Sequence, residues 1–243
     1  MNNAIVVIPT YNEKENAEAI IRKVFSLAVP FDVLIVDDNS PDGTAAIIKN
    51  LQTEFPGRLF LEERQGKLGL GTAYIHGFKY ALAHGYDYIF EMDADFSHNP
   101  EDLIRLYEAC SQEGYDVAIG SRYIKGVNVV NWPMNRVLMS YFASYYVRLI
   151  TGMPIQDATA GFKCYTRKVL ETIPLDEIKF IGYAFQIEMK FLAYKYGFKI
   201  KEVPIIFTDR TKGESKMSKG IIQEAFYGVI RMKVDSYFRH FNR

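Results

Sequence analysis

Short continuous apolar runs alternate with helically spaced apolar positions through the first half of the chain. Continuous runs of this length are typical of buried strands, and apolar positions three or four residues apart are typical of a helix with one buried face. The runs predict strands over 4–8, 32–36, 58–62, 86–92 and 115–120. The segments between them predict helices over 13–27, 44–55, 72–85 and 101–114. Strands without polar alternation, separated by helices, predict an α/β fold with a mostly parallel sheet flanked by helices.

The second half of the chain is less regular. Its pattern predicts a helix rich in aromatic residues over 133–151, a turn and strand leading into a short helix over 157–170, a helix over 182–197 and a strand over 200–207. A polar loop over 208–220 precedes a final amphipathic helix over 221–241. Since no internal repeat or low-complexity segment interrupts the pattern, we expect one domain with a C-terminal helical extension.

Polar loops follow each of the first five predicted strands. They cover residues 9–13, 37–44, 63–71, 93–98 and 121–126. In open α/β sheets, ligands bind outside the carboxyl ends of the parallel strands. We therefore expect these loops to meet at one edge of the sheet and to form a ligand site there.

Asp93 and Asp95 are the most distinctive pair at this edge. Side chains alternate along an extended chain, so the two carboxylates leave the backbone on the same side. They are costly without a counter-charge, and a hard divalent cation such as Mg²⁺ prefers oxygen ligands. The alternative is that they cap the next helix, although Asn99 before Pro100 fits that position better. We interpret His98 as a loop residue rather than a metal ligand, because imidazole suits softer metals.

Two more of these loops hold candidate binding groups. The Ser-Pro-Asp-Gly part of 37–44 is turn chemistry, which leaves Asp37 and Asp38 unexplained. A carboxylate there could accept hydrogen bonds from a nucleotide base or ribose. The glycine-rich loop over 63–71 matches neither G-x-G-x-x-G nor G-x-x-x-x-G-K-[ST], so a dinucleotide site or a P-loop is unsupported. Its pattern favours a flexible loop before a helix.

Composition limits the function classes. The 243 residues carry 29 basic and 29 acidic side chains, so the net charge gives no reason to expect a nucleic acid partner. Cys110 and Cys164 are too few for a disulfide framework or a zinc site, which fits a reducing compartment. The N-terminus does not resemble a signal peptide, and the apolar stretch VLMSYFASYYV is about half the ~20 residues of a membrane span. We therefore expect a protein that is soluble or lies on a membrane surface.

Six segments in order together resemble one enzyme family: VVIPTYNEKEN, VDDNSPDGT, EMDADFSH, IGSRYIKG, NWPMNR and DRTKGESKMS. They resemble the family 2 glycosyltransferases of the GT-A fold and, within these, the dolichol (polyprenol) phosphate mannose synthases. The resemblance runs from residue 4 to about 220. It implies a Rossmann-like, nucleotide-sugar-binding GT-A catalytic domain over 1–220, followed by an amphipathic C-terminal helix over 221–243 that contacts a membrane surface.

The resemblance also implies the reaction and its site. The substrates would be GDP-mannose and a polyprenyl monophosphate, with Mg²⁺ or Mn²⁺ as the cofactor, for an enzyme peripherally bound at the cytoplasmic face of a membrane. The implied donor-binding residues are Pro9, Tyr11, Glu13, Val36 and Asp38 for the guanosine, Asp93, Ala94 and Asp95 for the metal and diphosphate, and Arg210 and Lys216 for closing over the donor. The acceptor phosphate would be held by Arg122, Arg136 and Ser140, and catalysis would depend on Asp95, Arg122 and Arg136. Where some relatives carry Gln, this chain has Ser97.

The implied chemistry is coherent on physical grounds. A lipid phosphate is largely dianionic near neutral pH, so it is already a nucleophile and requires no general base. Arginines orient and partly neutralise such a phosphate, and a metal ion neutralises charge on a departing diphosphate. These features fit a direct, inverting displacement that forms a β-linked lipid phosphosugar.

Three alternatives stay open. One is a transferase of the same build that uses UDP-glucose or another nucleotide sugar, and another is a non-catalytic sensor or scaffold. A scaffold would have no use for an acceptor-phosphate clamp. The third is a processive polysaccharide synthase, whose late helix carries Gln-x-x-Arg-Trp where this chain has QIEMK, with its single Trp at 132.

A polyprenol is insoluble in water, so we expect peripheral membrane binding through 133–151 and 221–243. The first segment surrounds Arg136 with apolar residues, some of which core packing could explain: Met134, Leu138, Met139, Tyr141, Phe142, Tyr145 and Tyr146. From residue 210 to 243 there are eight basic and three acidic residues, and a basic amphipathic helix is typical of a membrane interface. Many relatives append transmembrane helices, which leaves a possible integral-membrane partner open.

Overall fold

The computed structural model describes residues 3–210 and 219–241, with the backbone only at 183 and 219–225. Its strands are β1 (Ala4–Thr10), β2 (Asp32–Asp37), β3 (Leu59–Glu63), β4 (Tyr88–Glu91), β5 (Val117–Ser121), β6 (Val129–Val130), β7 (Lys163–Thr166), β8 (Ile200–Pro204) and β9 (Phe207–Thr208). Its α-helices are α1 (Ala17–Phe25), α2 (Thr44–Glu54), α3 (Leu70–Ala83), α4 (Asp102–Ser111), α5 (Met134–Thr151), α6 (Arg167–Thr172), α7 (Tyr183–Lys195) and α8 (Lys219–Phe238). A 3-10 turn covers Leu175–Glu177.

One mixed, mostly parallel sheet of seven strands organises the molecule, in the order β3-β2-β1-β4-β7-β5-β8. All neighbouring pairs are parallel except those of β7, which runs antiparallel to both β4 and β5. In this register Lys163 lies opposite Glu91 on one side and Ile119 on the other. The predicted α/β class with a mostly parallel sheet is confirmed.

Helices cover both faces of the sheet because the central strands are apolar on both sides. In β1, Ile5 and Val7 face one core, and Val6 and Ile8 face the other. The first core lies under α3 and α7, and the second lies under α1, α2 and α4. Gly77 permits the close approach of α3 to β1, since a Cβ at that position would lie 2.4 Å from Val7 Cγ1. The packing of α3 fixes the position of the loop that precedes it.

The strands and helices predicted for the first half are all present, with shifted ends. The strand predicted over 200–207 is divided: β8 ends at Pro204, and β9 pairs with β6 in a separate two-stranded sheet. The helix expected near Pro100 begins at Asp102 instead. Asn99 forms the turn before it, and its side-chain oxygen accepts a hydrogen bond from the Glu101 N–H at 3.1 Å.

The last helix, α8, packs against α5 and α7. Exposed apolar side chains occupy the outer surfaces of α5 and α8, including Met134, Phe142, Leu149, Tyr227, Tyr237 and Phe238. Within residues 3–210 and 219–241, none of the helices has both the length and the apolar character required to cross a bilayer.

Candidate active site

The carboxylates of Asp93 and Asp95 lie at the carboxyl end of β4, which finishes at Glu91. The Tyr74 hydroxyl donates a hydrogen bond to Asp93 Oδ1 at 3.3 Å. Asp95 Oδ1 accepts a hydrogen bond from the Ser97 N–H at 3.0 Å, and its Oδ2 lies 3.2 Å from Arg210 Nη2. The predicted acidic edge therefore exists, with one arginine already beside it.

The two carboxylates have opposite electrostatic environments. Burial, followed by the repulsion of Asp95, raises the pKa of Asp93 to about 7. Burial also acts to raise the pKa of Asp95, but contacts with Ser97 and the Arg210 guanidinium outweigh it and hold the pKa below its usual value. The charged form of Asp93 is therefore disfavoured in the absence of a further cation. A bound cation would stabilise that charged form.

The donor set at this edge fits a hard divalent cation. Two carboxylates converge here, and Ser97 adds a buried hydroxyl oxygen beside Asp95. Mg²⁺ and Mn²⁺ accept oxygen ligands of this kind and leave other positions to water or phosphate. The described part of the chain contains no cluster of three or more His, Cys, Asp or Glu residues that could hold a metal.

His98 lies beside the acidic pair, where it packs against aromatic rings and lines the cavity described below. Its ring stacks on Phe162 with 4.9 Å between ring centroids, and Phe207 meets it edge-on. Burial lowers the pKa of His98 to about 4, despite the opposing attraction of Asp95, so the imidazole is neutral near pH 7. The interpretation as a loop residue agrees with this packing.

The two acids that follow β2 have different environments. Asp37 is fully buried, and its carboxylate accepts hydrogen bonds from Thr10 Oγ1 at 2.8 Å and from Ser40 Oγ at 2.6 Å. These internal bonds correct the expectation that Asp37 is open to a nucleotide. Asp38 instead accepts a hydrogen bond from Arg64 Nε at 2.6 Å.

The glycine-rich loop is anchored to Asp38, contrary to the expectation of a flexible segment. The Leu68 N–H donates to Asp38 Oδ2 at 3.3 Å, and Arg64 Nη1 donates to Thr72 Oγ1 at 2.8 Å. Lys67 Nζ lies 5.0 Å from the centre of the Tyr11 ring. The loop thus covers the ends of β1 and β2, where the residues that the resemblance assigned to guanosine lie.

The other residues of that set lie in, or shortly after, the same two strands. Pro9 lies near the end of β1, and Glu13 follows it, with its backbone N–H donating to Thr44 Oγ1 at 3.1 Å. The side chain of Val36 is fully buried in the core, and Ala94 is buried between the two acids. These positions adjoin the acidic edge but do not line the cavity described below.

Arg122 is held rigidly at the end of β5. Its Nε and Nη2 donate to the two oxygens of Asp157 at 2.7 and 2.6 Å, and Nη2 also donates to Thr159 Oγ1 at 2.8 Å. Burial acts to raise the pKa of Asp157, but Arg122 outweighs it and holds the pKa below its usual value. A bidentate contact of this kind fixes the guanidinium plane.

Arg136 lies at the start of α5 in a looser arrangement. Its guanidinium lies 4.1 Å from the centre of the Trp132 ring, and Nη1 donates to Asp209 Oδ1 at 2.9 Å. Ser140, one helical turn later, lines the same cavity. The side chain of Arg136 is 26% exposed, whereas Arg122 as a residue is 7% exposed.

A cavity of about 480 Å³ joins these groups. Its polar end is lined by Asp93, Arg122, Arg136, Ser140 and Arg210. Its apolar end lies between α5, α7 and α8, at Phe142, Tyr146, Ile187, Phe226 and Val229. Lys216 lies outside the described residues. The remaining acceptor and closing residues predicted from the sequence thus face a single chamber beside the acidic edge.

Sequence reasoning missed the residues that hold the predicted ones in place. Arg64 anchors Asp38, Asp157 anchors Arg122, and Gln186 lines the cavity from α7. The sequence offered one weak signal for Asp157. This acid directly precedes the short turn Ala-Thr-Ala-Gly, where no predicted helix with a solvent-facing side accounts for it.

Comparison with known proteins assigns the fold and its chemistry to one family. The model of the family described as Glycosyl transferase family 2 matches residues 5–173. A polyprenol monophosphomannose synthase of Mycolicibacterium smegmatis is 46% identical over 225 residues, 93% of this chain and 84% of that protein. An undecaprenyl-phosphate mannosyltransferase of Micrococcus luteus is 44% identical over 227 residues, 93% of this chain and 92% of that protein.

Solved structures agree at the level of the fold. Glucosyl-3-phosphoglycerate synthase from Mycobacterium tuberculosis, in complex with Mn²⁺, UDP and glucosyl-3-phosphoglycerate, matches with a TM-score of 0.66 at 16% identity, over 96% of this chain and 79% of that chain. A mannosyltransferase from Pyrobaculum calidifontis in complex with GDP-Man and Mn²⁺ matches with a TM-score of 0.56 at 15% identity, over 96% of this chain and 73% of that chain. The chain is a glycosyltransferase, and it belongs to glycosyl transferase family 2.

Proposed function

We propose that the protein transfers mannose from GDP-mannose to a polyprenyl monophosphate and so forms polyprenyl phosphate mannose. The names of its two curated relatives support this acceptor and this sugar. The observation that carries the proposal is the shape of the cavity, which joins an acidic edge, three arginines and an apolar wall in one chamber. The acidic edge suits the metal-bound diphosphate of a nucleotide sugar, the arginines suit a phosphate, and the apolar wall suits a lipid chain.

The donor is placed at the ends of β1, β2 and β4. In this assignment Pro9, Tyr11, Glu13, Val36 and Asp38 hold the guanosine, with Val36 contributing its main chain because its side chain is buried. Asp93, Ala94 and Asp95 then face the diphosphate. Arg210 is near enough to Asp95 to reach that diphosphate, and Lys216 is assigned to the same closing segment.

Mg²⁺ or Mn²⁺ is proposed at Asp93 and Asp95. Bound there, a divalent cation would neutralise charge on the departing diphosphate. The carboxylates of Asp93 and Asp95 would hold the cation, and with it the diphosphate, at the end of β4. The transfer assay with Mg²⁺ or Mn²⁺ measures which of the two metals the protein prefers.

The acceptor phosphate is placed against Arg122, Arg136 and Ser140. One phosphate oxygen supplies the electron pair that forms the new bond to the anomeric carbon of the sugar. The bond from that carbon to the diphosphate oxygen breaks, and its electron pair leaves with GDP. Because the acceptor arrives as a dianion, no proton has to be removed, which agrees with the three arginines at the polar end of the cavity.

The membrane contact is placed on α5 and on residues 221–243. Tyr145 and Leu149 on α5 are 53% and 69% exposed, and Tyr237 and Phe238 on α8 are 71% and 83% exposed. Large exposed apolar patches on a folded protein mark an interaction surface, and this one borders the apolar end of the cavity. We propose peripheral attachment to the cytoplasmic face of a membrane, alone or with an integral-membrane partner.

The transfer is tested with purified protein, polyprenyl phosphate in detergent and a panel of labelled nucleotide sugars, with Mg²⁺ or Mn²⁺. We expect GDP-mannose to give the largest yield of solvent-extractable product. Reactions without acceptor and with excess chelator are the controls. UDP-glucose as the better donor would replace mannose in the proposal, and no product from any donor would favour a binding role.

The membrane contact is tested by sedimentation with anionic liposomes at low salt. We expect the protein in the pellet, and we expect Leu149→Ser combined with Phe238→Ser to return it to the supernatant. The matched control is Leu68→Ser, which changes a similarly exposed leucine on the glycine-rich loop. Equal sedimentation of all three proteins would place the membrane contact elsewhere.

A further inference from the structure

A cluster of buried polar side chains lies at the base of the cavity, where Gln186 is part of the lining, and the transfer chemistry described above does not use it. Glu91, Lys163 and Lys190 are completely buried, and Gln186 is 2% exposed. Buried charges of this kind are costly, and apolar residues of similar volume often stabilise a fold as well or better. Stability alone therefore gives no reason for the cluster.

Gln186 joins the two strands below the acidic edge. Glu91 and Lys163 are direct partners across β4 and β7, with Lys163 Nζ 3.1 Å from Glu91 Oε2. The Gln186 amide donates to Glu91 Oε2 through Nε2 at 2.7 Å and accepts from Lys163 Nζ through Oε1. Glu91 is two residues before Asp93, so this amide fixes the strand end from which the acidic pair projects.

Lys190, one turn later on α7, holds the loop whose side chains bind Arg122. Its Nζ donates to the carbonyl oxygens of Ala158 at 3.0 Å, Ala160 at 2.6 Å and Gln186 at 3.2 Å. The same loop contains Asp157 and Thr159, both of which bind the Arg122 guanidinium. Through its carbonyl oxygen, Gln186 is therefore connected to the acceptor side as well.

We propose that Gln186 is a positioning residue for the transfer reaction: it sets the geometry between the strand end that bears Asp93 and Asp95 and the loop that orients Arg122. Its side chain contacts the first, and its main chain contacts Lys190, which holds the second. This inference rests on the proposed function, because it concerns the alignment of a donor with an acceptor phosphate. Misplacement of reacting groups by about 1 Å can cost on the order of 100-fold in rate.

The test replaces the amide without changing the length of the side chain. Gln186→Met removes both side-chain hydrogen bonds, and Gln186→Glu keeps an acceptor for Lys163 but loses the donor to Glu91. The matched control is Leu192→Met, which puts the same side chain at a buried position of α7 outside the cluster and the cavity. For each protein we would measure kcat, the KM for both substrates, the melting temperature, and GDP binding with Mn²⁺ by calorimetry.

We expect kcat to fall by about 10- to 100-fold in Gln186→Met, with the KM for the donor and the affinity for GDP within about 3-fold of the parent. Gln186→Glu should lower kcat at least as much as Gln186→Met, because its carboxylate faces the buried carboxylate of Glu91, and Leu192→Met should match the parent. A folded Gln186→Met with kcat within about 2-fold of the parent would overturn the inference. If that variant does not fold, Gln186→Glu decides by the same criterion. A parent protein that yields no lipid product would instead overturn the proposed function, and this is recorded before the variants are compared.

Discussion

The two polar sides of the cavity treat charge in opposite ways. On the acidic side, Asp93 and Asp95 share one nearby arginine, and burial with mutual repulsion raises the pKa of Asp93 to about 7. On the basic side, Arg122 and Arg136 each have a carboxylate partner of their own, Asp157 and Asp209. The acidic side has one arginine for two carboxylates, whereas each arginine of the basic side has a carboxylate of its own.

The difference indicates which kind of ligand would complete each side of the cavity. Under the proposed function, a cation that arrives with an anionic ligand would complete the under-compensated pair of acids. A guanidinium already fixed by a carboxylate has less charge to offer, but it holds its orientation before any ligand arrives. We infer that the acidic side selects by charge and the basic side by geometry.

The largest effect is expected from removing one charge on the acidic side. Asp95→Asn should lower kcat by about 1,000-fold or more, since loss of about 4 kcal/mol of charge stabilisation corresponds to that factor. Circular dichroism should show an unchanged fold. The matched control is Asp87→Asn, an exposed acid just before β4, and a similar loss in both variants would contradict the assignment.

The two arginines should differ in their contribution to folding. Arg122→Met leaves the buried Asp157 without its cation and should lower the free energy of unfolding by about 3 kcal/mol. Arg136→Met breaks a partly exposed pair and should cost less than about 1 kcal/mol. Urea denaturation of both variants measures the difference. Equal losses would mean that the two guanidinium groups are held alike.

The pH dependence of stability should report on Asp93. Its pKa is about 3.8 as the ordinary value and about 7 in the folded protein, so between these pH values the folded state binds more protons. Stability therefore falls as the pH rises through this window. With chelator present, Asp93→Asn should become more stable relative to the parent by about 3 kcal/mol from pH 4 to pH 7.

Mn²⁺ should remove that relative gain, because a cation favours the charged carboxylate of the parent. Thermal unfolding of both proteins across the pH range, with chelator and with Mn²⁺, provides the measurement. Parallel stability curves for the parent and the variant would show that Asp93 titrates normally.

The smallest effect is expected at the far end of the acidic side, where Arg64 holds Asp38. Arg64→Met frees Asp38 and the glycine-rich loop, and it should weaken GDP binding by about 10-fold through loss of preorganisation. Arg105→Met is the control, since it removes a half-exposed arginine that pairs with Asp102 on α4. Unchanged affinity for GDP in Arg64→Met would separate Asp38 from nucleotide binding.

Much of the fold could be predicted because local patterns of apolar residues determine many of its strands and helices. The continuous apolar runs at 4–8 and 32–36 identify β1 and β2, and they need no knowledge of distant residues. The antiparallel direction of β7 was not predictable in this way. A strand of four residues carries the same apolar signal in either direction, and its placement between β4 and β5 depends on contacts that are far apart in sequence.

The candidate site divides in the same manner. Asp93 and Asp95 were found because both acids directly follow a strand, which is a local signal. Asp157 and Gln186 gave no comparable signal, because their partners Arg122 and Glu91 are 35 and 95 residues away along the chain. Anchoring contacts of this type require the tertiary structure.

The reversed direction of β7 also fixes the width of the reaction chamber. Because that strand runs against its neighbours, its leading loop, rather than its trailing one, reaches the ligand-binding edge. Strands in a sheet are spaced about 4.8 Å apart, so one inserted strand sets the ends of β4 and β5 roughly 10 Å from each other. That separation is maintained by the main-chain hydrogen bonds of the sheet, which a side-chain replacement other than proline leaves in place.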